Sequence, residues 1–278
     1  MDIKTLLDVP PWDWPRDAGK VFLETLMDKR AKESDRLVAA ELGGDLTVMN
    51  DALADALLAI VRSGDEPEEL RARAAIALGP VLEQADTELL DDGGFEDPEA
   101  VPITERTFRN IQESLHTLYP DESLPKEVRR RILEASVRAQ QDWHMSAIKE
   151  AYSRGDKDWK LTAVFAMGYV RGFDDQIMEA LESPDPEIHF EAVKAAGDWE
   201  LDAAWPHVLA LVQDRATPKP LLLAAIEAVG NIRPREAREI LADWANSRDE
   251  EIAEAAEEAM AMAEAIPDDE EDAGEWIN

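Results

Sequence analysis

The chain has 278 residues, and its 62 Asp and Glu against 29 Lys and Arg give a formal net charge of −33. Such a charge repels phosphate backbones, which argues against general nucleic-acid binding. The chain has no cysteine, which excludes disulfides, zinc–thiolate sites and cysteine nucleophiles. We favour solubility as the reason for the acidity over an acidic surface that mimics DNA.

The N-terminal segment predicts neither a signal peptide nor a membrane anchor. It begins MDIKTLLDVPPWDWP, which has no basic region and no long apolar run. Nowhere along the chain do 18 apolar residues follow one another, so no membrane-spanning helix is expected. The expected compartment is the cytoplasm.

A sequence template recurs along the chain and ends on an anchor residue, which is Gly in most copies and Val137 or Ala261 in two degenerate ones. One copy has Leu221, Ala225 and Ala228 at nine, five and two positions before Gly230. Offsets of three and four residues share one helix face, so the template predicts an apolar stripe against which another helix packs closely. An anchor Gly at or near the end of such a helix can take a positive φ and end the helix. The anchors lie at 44, 79, 137, 168, 197, 230 and 261.

A further helix is predicted between successive anchors, because apolar residues lie three and four positions apart at 175–183, 204–214 and 237–247. Each unit of about 30 residues is therefore expected to be an antiparallel helix pair. One pair cannot bury both faces of its helices, whereas a stack of pairs can. Pro often precedes the anchored helix, where it suits the first helical turn.

Two acidic segments interrupt this regularity. Residues 83–103 contain eight acidic residues, no basic residue and a Gly-Gly pair, which predicts an exposed loop. Residues 249–278 contain thirteen acidic residues and no Lys or Arg, and after Ile266 they predict a short disordered tail. A solvated connector and an idle end are favoured over a loop or tail that grips a partner.

The anchored helix resembles the second helix of HEAT-like repeats, in the short variety found in bacterial phycobilin lyases. The residues that carry the resemblance are LRARAAIALG at 70–79 and VRRRILEAS at 128–136. The resemblance implies an all-α fold, a right-handed α-solenoid (superhelix) of about six to seven HEAT-like helix pairs. We expect a capping segment at 1–33, a solenoid at 34–266 with the loop insertion at 83–103, and an acidic tail at 267–278.

Candidates for catalysis are few. Deoxyhypusine hydroxylase resembles this architecture and holds two irons with paired His-Glu dipeptides, but this chain has no His-Glu dipeptide. Its nearest approach is His189 with Glu191, and residues two apart point to different sides of a helix. Nucleophile-elbow, Walker and dinucleotide-binding motifs are also missing from the sequence. We therefore predict a non-catalytic protein without a metal or cofactor.

Basic residues near the start of the anchored helices stand out against the acidic background. The second helices of HEAT-type solenoids line a concave face, where these cations and nearby aromatics would suit an acidic or phosphorylated peptide. The favoured alternative is that the arginines pair with acidic residues of the stack. The candidate partner-binding residues are Arg71, Arg129, Arg130, Arg131, Lys160, Phe165, His189 and Phe190.

The function favoured by the sequence is an interaction scaffold that holds a protein or peptide on the concave face of the second helices. One alternative is an enzyme subunit that resembles the phycobilin lyases, which attach a tetrapyrrole to a carrier protein. A third, less favoured alternative resembles the HEAT-like DNA glycosylases, which use a basic concave face. The sequence leaves the partner and the oligomeric state open.

Overall fold

A computed structural model describes residues 3–89 and 94–264 of the chain. These residues are helical and contain no strand, apart from one isolated bridge between Leu89 and Phe95. No helix in these two ranges has both the length and the apolar character needed to cross a membrane. The chain divides into two compact units at residues 162 and 163, which we call unit 1 and unit 2.

Unit 1 contains three pairs of helices that follow one another along the chain and pack together. Helices α1 with α2, α3 with α4 and α6 with α7 pack against one another, while α2, α4 and α7 also form a contacting row. The helices are α1 (Ala18–Met27), α2 (Glu33–Leu42), α3 (Asp51–Arg62), α4 (Glu68–Ala77), α5 (Gly79–Thr87), α6 (Glu105–Leu118), α7 (Lys126–Ser136) and α8 (His144–Ser153). The next helix, α9 (Lys157–Met167), contains the point of division.

Unit 2 repeats this arrangement with α10 packed on α11, α12 on α13 and α14 on α15. Helices α11, α13 and α15 form the contacting row of this unit. The helices are α10 (Asp174–Leu181), α11 (Pro186–Asp198), α12 (Trp205–Gln213), α13 (Lys219–Ile232), α14 (Pro234–Leu241) and α15 (Glu250–Glu264). We call α2, α4, α7, α9, α11, α13 and α15 the anchor helices, because each contains a template anchor or ends one or two residues before it.

The apolar stripe of the template forms the core. The residues five positions before the anchors are fully buried, as at Ala74, Ala163, Ala192 and Ala225. Helix α13 departs from the template at its first position, because Leu222 is buried in place of Leu221. The helical period read from the sequence therefore identifies the buried face of the anchor helices.

The expected role of the anchor glycines is wrong. Among the described glycines, positive φ occurs at Gly155 and Gly172 and at no anchor. A Cβ added to Gly197 would instead lie 2.9 Å from the Cβ of Ala228, and one added to Gly230 would lie 3.0 Å from the Cβ of Ala259. Gly197 and Gly230 are therefore small because the next anchor helix approaches them closely, and the alanine two positions before the anchor of that helix packs on the glycine.

Ion pairs between residues 30 positions apart join successive repeats. Lys126 Nζ lies 2.8 Å from an Asp156 carboxylate oxygen, and Lys219 Nζ lies 2.7 Å from an Asp249 carboxylate oxygen. Each lysine begins one anchor helix, and each aspartate directly precedes the next. The repeat of the sequence thus places opposite charges at equivalent positions of neighbouring pairs.

The segment 83–103 differs from the predicted exposed loop. Residues 83–87 complete α5, and the side chains of Phe95, Val101 and Ile103 are buried. The Phe95 ring packs edge-on against Phe108, with centroids 6.0 Å apart. The prediction of an exposed loop failed because it rested on the many carboxylates of the segment and overlooked these three apolar side chains, which are buried in unit 1. Residues 90–93 of this segment, and the predicted tail at 267–278, lie outside the described residues.

Candidate functional site

Arg71 and Arg129 point into the helix pairs and not onto an open face. Arg71 donates from Nε and Nη2 to the Val61 carbonyl oxygen at 3.1 and 3.0 Å, and Arg129 donates from Nε to the Tyr119 carbonyl oxygen at 2.8 Å. These carbonyls lie at the C-terminal ends of α3 and α6, where a cation is favoured by the helix dipole. Both arginines are buried, which corrects the exposed position expected from the sequence.

The sequence analysis overlooked Arg36, which makes the same contact. Its Nε and Nη2 donate to the Leu26 carbonyl oxygen at 3.2 and 2.9 Å, and its Nη1 lies 2.6 Å from Glu66. Arg36, Arg71 and Arg129 all stand eight positions before an anchor and ten positions after the carbonyl they bind. This shared spacing could have shown from the sequence that the three arginines bind within their own repeats.

Arg130 and Arg131 belong to a charge-balanced network with two glutamates. The buried Arg130 donates from Nε to Thr162 Oγ1 at 2.9 Å and from Nη1 to Glu127 at 2.7 Å. Arg131 donates to Glu127 at 2.8 Å and to Glu134 at 2.6 Å. Two guanidinium groups and two carboxylates therefore cancel one another, which matches the alternative of internal ion pairs.

Of the four remaining predicted site residues, Lys160 belongs to unit 1, and Phe165, His189 and Phe190 belong to unit 2. Lys160 Nζ lies 4.8 Å from the centroid of the Tyr152 ring, and the Phe165 and Tyr169 ring centroids are 5.3 Å apart. His189 is turned towards α12. Phe190 borders an open groove in unit 2.

His189 on α11 contacts His207 on α12, with the two Nε2 atoms 2.7 Å apart. One nitrogen of such a pair must donate and the other accept, so at least one ring is neutral. Burial of His189, together with the charge of His207, lowers the His189 pKa. Within the described residues no group of three or more His, Asp or Glu is arranged to hold a metal ion.

The groove in unit 2 lies between the anchor helices α11, α13 and α15 and has a volume of about 600 Å³. Its apolar lining includes the partly exposed side chains of Phe190, Leu223 and Met262. The small residues Ala224 and Ala255, each six positions before its anchor, form a low floor between these side chains. We call this surface the unit 2 groove.

Carboxylates stand along the edges of the unit 2 groove. Glu227 comes from α13, and Glu251, Glu254 and Glu258 come from α15. Lys194 is the one cation among the described lining residues, and its Nζ lies 5.9 Å from the Phe190 ring centroid. Four carboxylates against one ammonium give the groove an excess of negative charge.

Most of these carboxylates have no cation of their own. Glu251 pairs with Lys219 at 2.7 Å, but Glu227, Glu254 and Glu258 form no ion pair with any part of the chain that the structure describes. Burial of the Asp198 carboxyl raises its pKa, and the nearby Glu227 carboxylate raises it further, against the opposing effect of Lys194. The negative field at the groove is therefore only partly compensated by the protein.

The sequence of unit 2 matches a known family. Residues 175–261, which include all three helices of the groove, match the family model of HEAT repeats.

The chain is a HEAT-like repeat protein.

Its all-α architecture of helix pairs is accordingly an α-solenoid of HEAT-like repeats.

A solved structure of human deoxyhypusine hydroxylase in complex with glycerol is similar over 94% of this chain and 88% of that chain. The sequence identity is 17% and the TM-score is 0.40, so this likeness carries no argument about activity. No curated protein matches the chain.

The groove residues of this HEAT-like repeat protein occupy two recurring template positions. Phe190, Leu223 and Glu254 stand seven positions before their anchors, and Lys194, Glu227 and Glu258 stand three positions before theirs. Of these six residues, the sequence analysis selected only Phe190. The sequence could have identified these residues if the same exposed positions had been compared between copies, because the buried positions of the template also determine which positions are exposed.

Proposed function

We propose that this HEAT-like repeat protein is a non-catalytic scaffold that holds a protein or peptide partner in the unit 2 groove. The observation that carries the proposal is the apolar recess of about 600 Å³ between three anchor helices, lined by Phe190, Leu223 and Met262. Met262 is 56% exposed, so the recess presents a large apolar side chain to solvent. Contiguous apolar surface with polar edges is characteristic of interaction sites.

The proposal keeps the anchor helices as the binding surface but changes the residues on it. Of the candidates selected from the sequence, Phe190 stays in the proposed surface. Arg71 and Arg129 already satisfy carbonyl groups of their own repeats, so replacing them would weaken the fold before it affected any partner. A binding test based on those arginines would therefore confuse stability with recognition.

Neither the unit 2 groove nor the Arg130 and Arg131 network supports the bilin-lyase-like or the DNA-glycosylase-like alternative. A basic DNA-binding face would need free cations, and Arg130 and Arg131 are neutralised by Glu127 and Glu134. Bilin attachment would need a pocket of aromatic and basic groups, whereas the unit 2 groove offers one phenyl ring and one lysine among four glutamates.

Site-specific photo-cross-linking tests the proposal. A photoreactive amino acid replaces Leu223 in the groove or, as the control, Gln213, which is exposed at the end of α12 and does not line the groove. We expect one protein to cross-link from position 223 in cells of the source organism, and not from position 213. The cross-link should disappear when Phe190→Ala is added. Equal cross-linking from both positions, or cross-linking that Phe190→Ala leaves intact, would refute the groove as the binding surface.

A further inference from the structure

The carboxylates of the unit 2 groove form a row along one helix. Glu251, Glu254, Glu258 and Met262 follow one another on α15 at spacings of three and four residues. Such spacing places them on one face, about one per turn. From Glu251 to Met262 the row extends about 16 Å, at about 1.5 Å per residue. The apolar floor therefore has a charged edge along a length of roughly three helical turns.

A partner that enters this groove meets two requirements at once. Its apolar side chains must cover Phe190, Leu223 and Met262, and its edges must face Glu227, Glu254 and Glu258. An acidic partner would meet uncompensated negative charge, and so would a phosphate group or an anionic membrane surface. A partner with Lys or Arg beside its apolar residues satisfies both requirements.

The spacing along α15 also indicates the conformation of the partner. A helix that runs along α15 has the same rise per turn, so its residues at i, i+4 and i+7 meet successive members of the row. Ala224, Ala255 and Ala259 leave room in the floor for a second helix to approach. Apolar residues on one face of that helix then fill the groove in the way that amphipathic helices fill apolar grooves elsewhere.

We propose that the unit 2 groove binds an amphipathic helix of a partner protein that carries Lys or Arg along the edges of its apolar face. This inference rests on the proposed function, because it assigns the chemistry of the occupant to the same surface. It reverses the charge of the partner expected from the sequence. The cations that suggested an acidic partner pair internally, and the carboxylates that remain exposed in the groove select a basic one.

The test uses a labelled synthetic peptide of about four helical turns, with Leu along one face and Lys along both edges of that face. Its binding to the full chain is followed by fluorescence anisotropy at about 50 mM and about 300 mM NaCl. A second peptide of the same sequence carries Glu in place of every Lys. We expect the Lys peptide to bind, the Glu peptide to bind at least about tenfold more weakly, and added salt to weaken the Lys peptide.

Variants of the chain separate groove binding from general attraction to an acidic protein. Glu254→Gln with Glu258→Gln should weaken the Lys peptide about three- to tenfold at low salt, whereas Glu250→Gln with Glu257→Gln on the same helix should leave it almost unchanged. Leu223→Ala should weaken both peptides about fivefold or more, because the apolar contact does not depend on charge. Circular dichroism and thermal unfolding confirm that each variant is folded.

The outcomes distinguish the inference from the proposed function. If the Glu peptide binds as well as the Lys peptide and Leu223→Ala weakens both, the groove is a binding site but the cationic partner is wrong. If the control pair of glutamates matters as much as Glu254 and Glu258, the attraction is general and the inference falls. If neither peptide binds, the inference is overturned, while the cross-linking experiment still decides the proposed function.

Discussion

The close approach between anchor helices predicts that one added methyl group will loosen the stack. In Gly197→Ala the new Cβ lies 2.9 Å from the Cβ and 3.0 Å from the Cα of Ala228, whereas ordinary carbon contacts lie at about 3.5–4.0 Å. The helices must therefore separate by roughly 0.6 Å, or the local backbone must shift. Overpacking of this kind costs about 1–3 kcal/mol. Alanine gains at most about 1 kcal/mol in helix propensity, and less near the end of α11, so we expect a net loss of about 1–2 kcal/mol.

Urea unfolding followed by circular dichroism measures this loss, with Gly64→Ala as the control. Gly64 has no atom within 4 Å of the added Cβ and no positive φ, so its substitution should change stability by less than about 0.5 kcal/mol. The double variant Gly197→Ala with Ala228→Gly moves the methyl group to the other helix. It should be more stable than the sum of the two single changes predicts, by about 1–2 kcal/mol. A Gly197→Ala variant as stable as the wild type, or strict additivity in the double variant, would refute the close-approach explanation.

Two further predictions concern buried polar groups. Replacing Arg71 by Met leaves the Val61 carbonyl without its hydrogen-bond donor, and it should lower the unfolding free energy measured by urea denaturation by about 1–3 kcal/mol. The control Arg73→Met, which removes a surface ion pair, should change the unfolding free energy by less than about 1 kcal/mol. Equal effects of the two substitutions would show that burial of the donor does not matter. Burial of His144, with a smaller effect of the His116 charge, lowers its pKa from 6.5 to about 4, so the unfolded chain binds more protons between these values and stability falls as the pH decreases. Relative to His144→Gln, the unfolding free energy of the wild type should fall by about 3 kcal/mol between pH 6.5 and pH 4. If the unfolding free energies of the two proteins changed in parallel with pH, the lowered pKa of His144 would be contradicted.

The helix pairs and their buried faces follow from the sequence because burial repeats with the helical period. Positions five and two before each anchor of unit 2 are alanines that face inward, as with Ala192 and Ala195 on α11. The meaning of the anchor itself did not follow, since a glycine near a helix end suits either a positive φ or a close contact. Only the position of Ala228 in space decides between these roles.

The burial and pairing of the arginines could not be predicted for a related reason. The sequence shows arginines at positions 129–131, but it does not show that each guanidinium already donates a hydrogen bond to a carbonyl oxygen or a glutamate. Glu254 and Glu258 looked ordinary in a chain with 62 acidic residues, although they are among the carboxylates left without a partner inside the described structure. Pairing depends on contacts between repeats, which a reading of single helices does not supply.

Methionine methyl resonances test the central claim most directly. Met262 lines the unit 2 groove and is 56% exposed, while Met27 is 64% exposed at the end of α1 and does not line it. The two residues are therefore a matched pair of exposed probes, and a Met262→Leu variant assigns the groove signal. On titration of ¹³C-methyl-labelled protein with the Lys peptide, we predict that the Met262 resonance shifts and the Met27 resonance does not. Bound peptide with an unmoved Met262 signal, or with equal shifts at both residues, would contradict the unit 2 groove as the partner site.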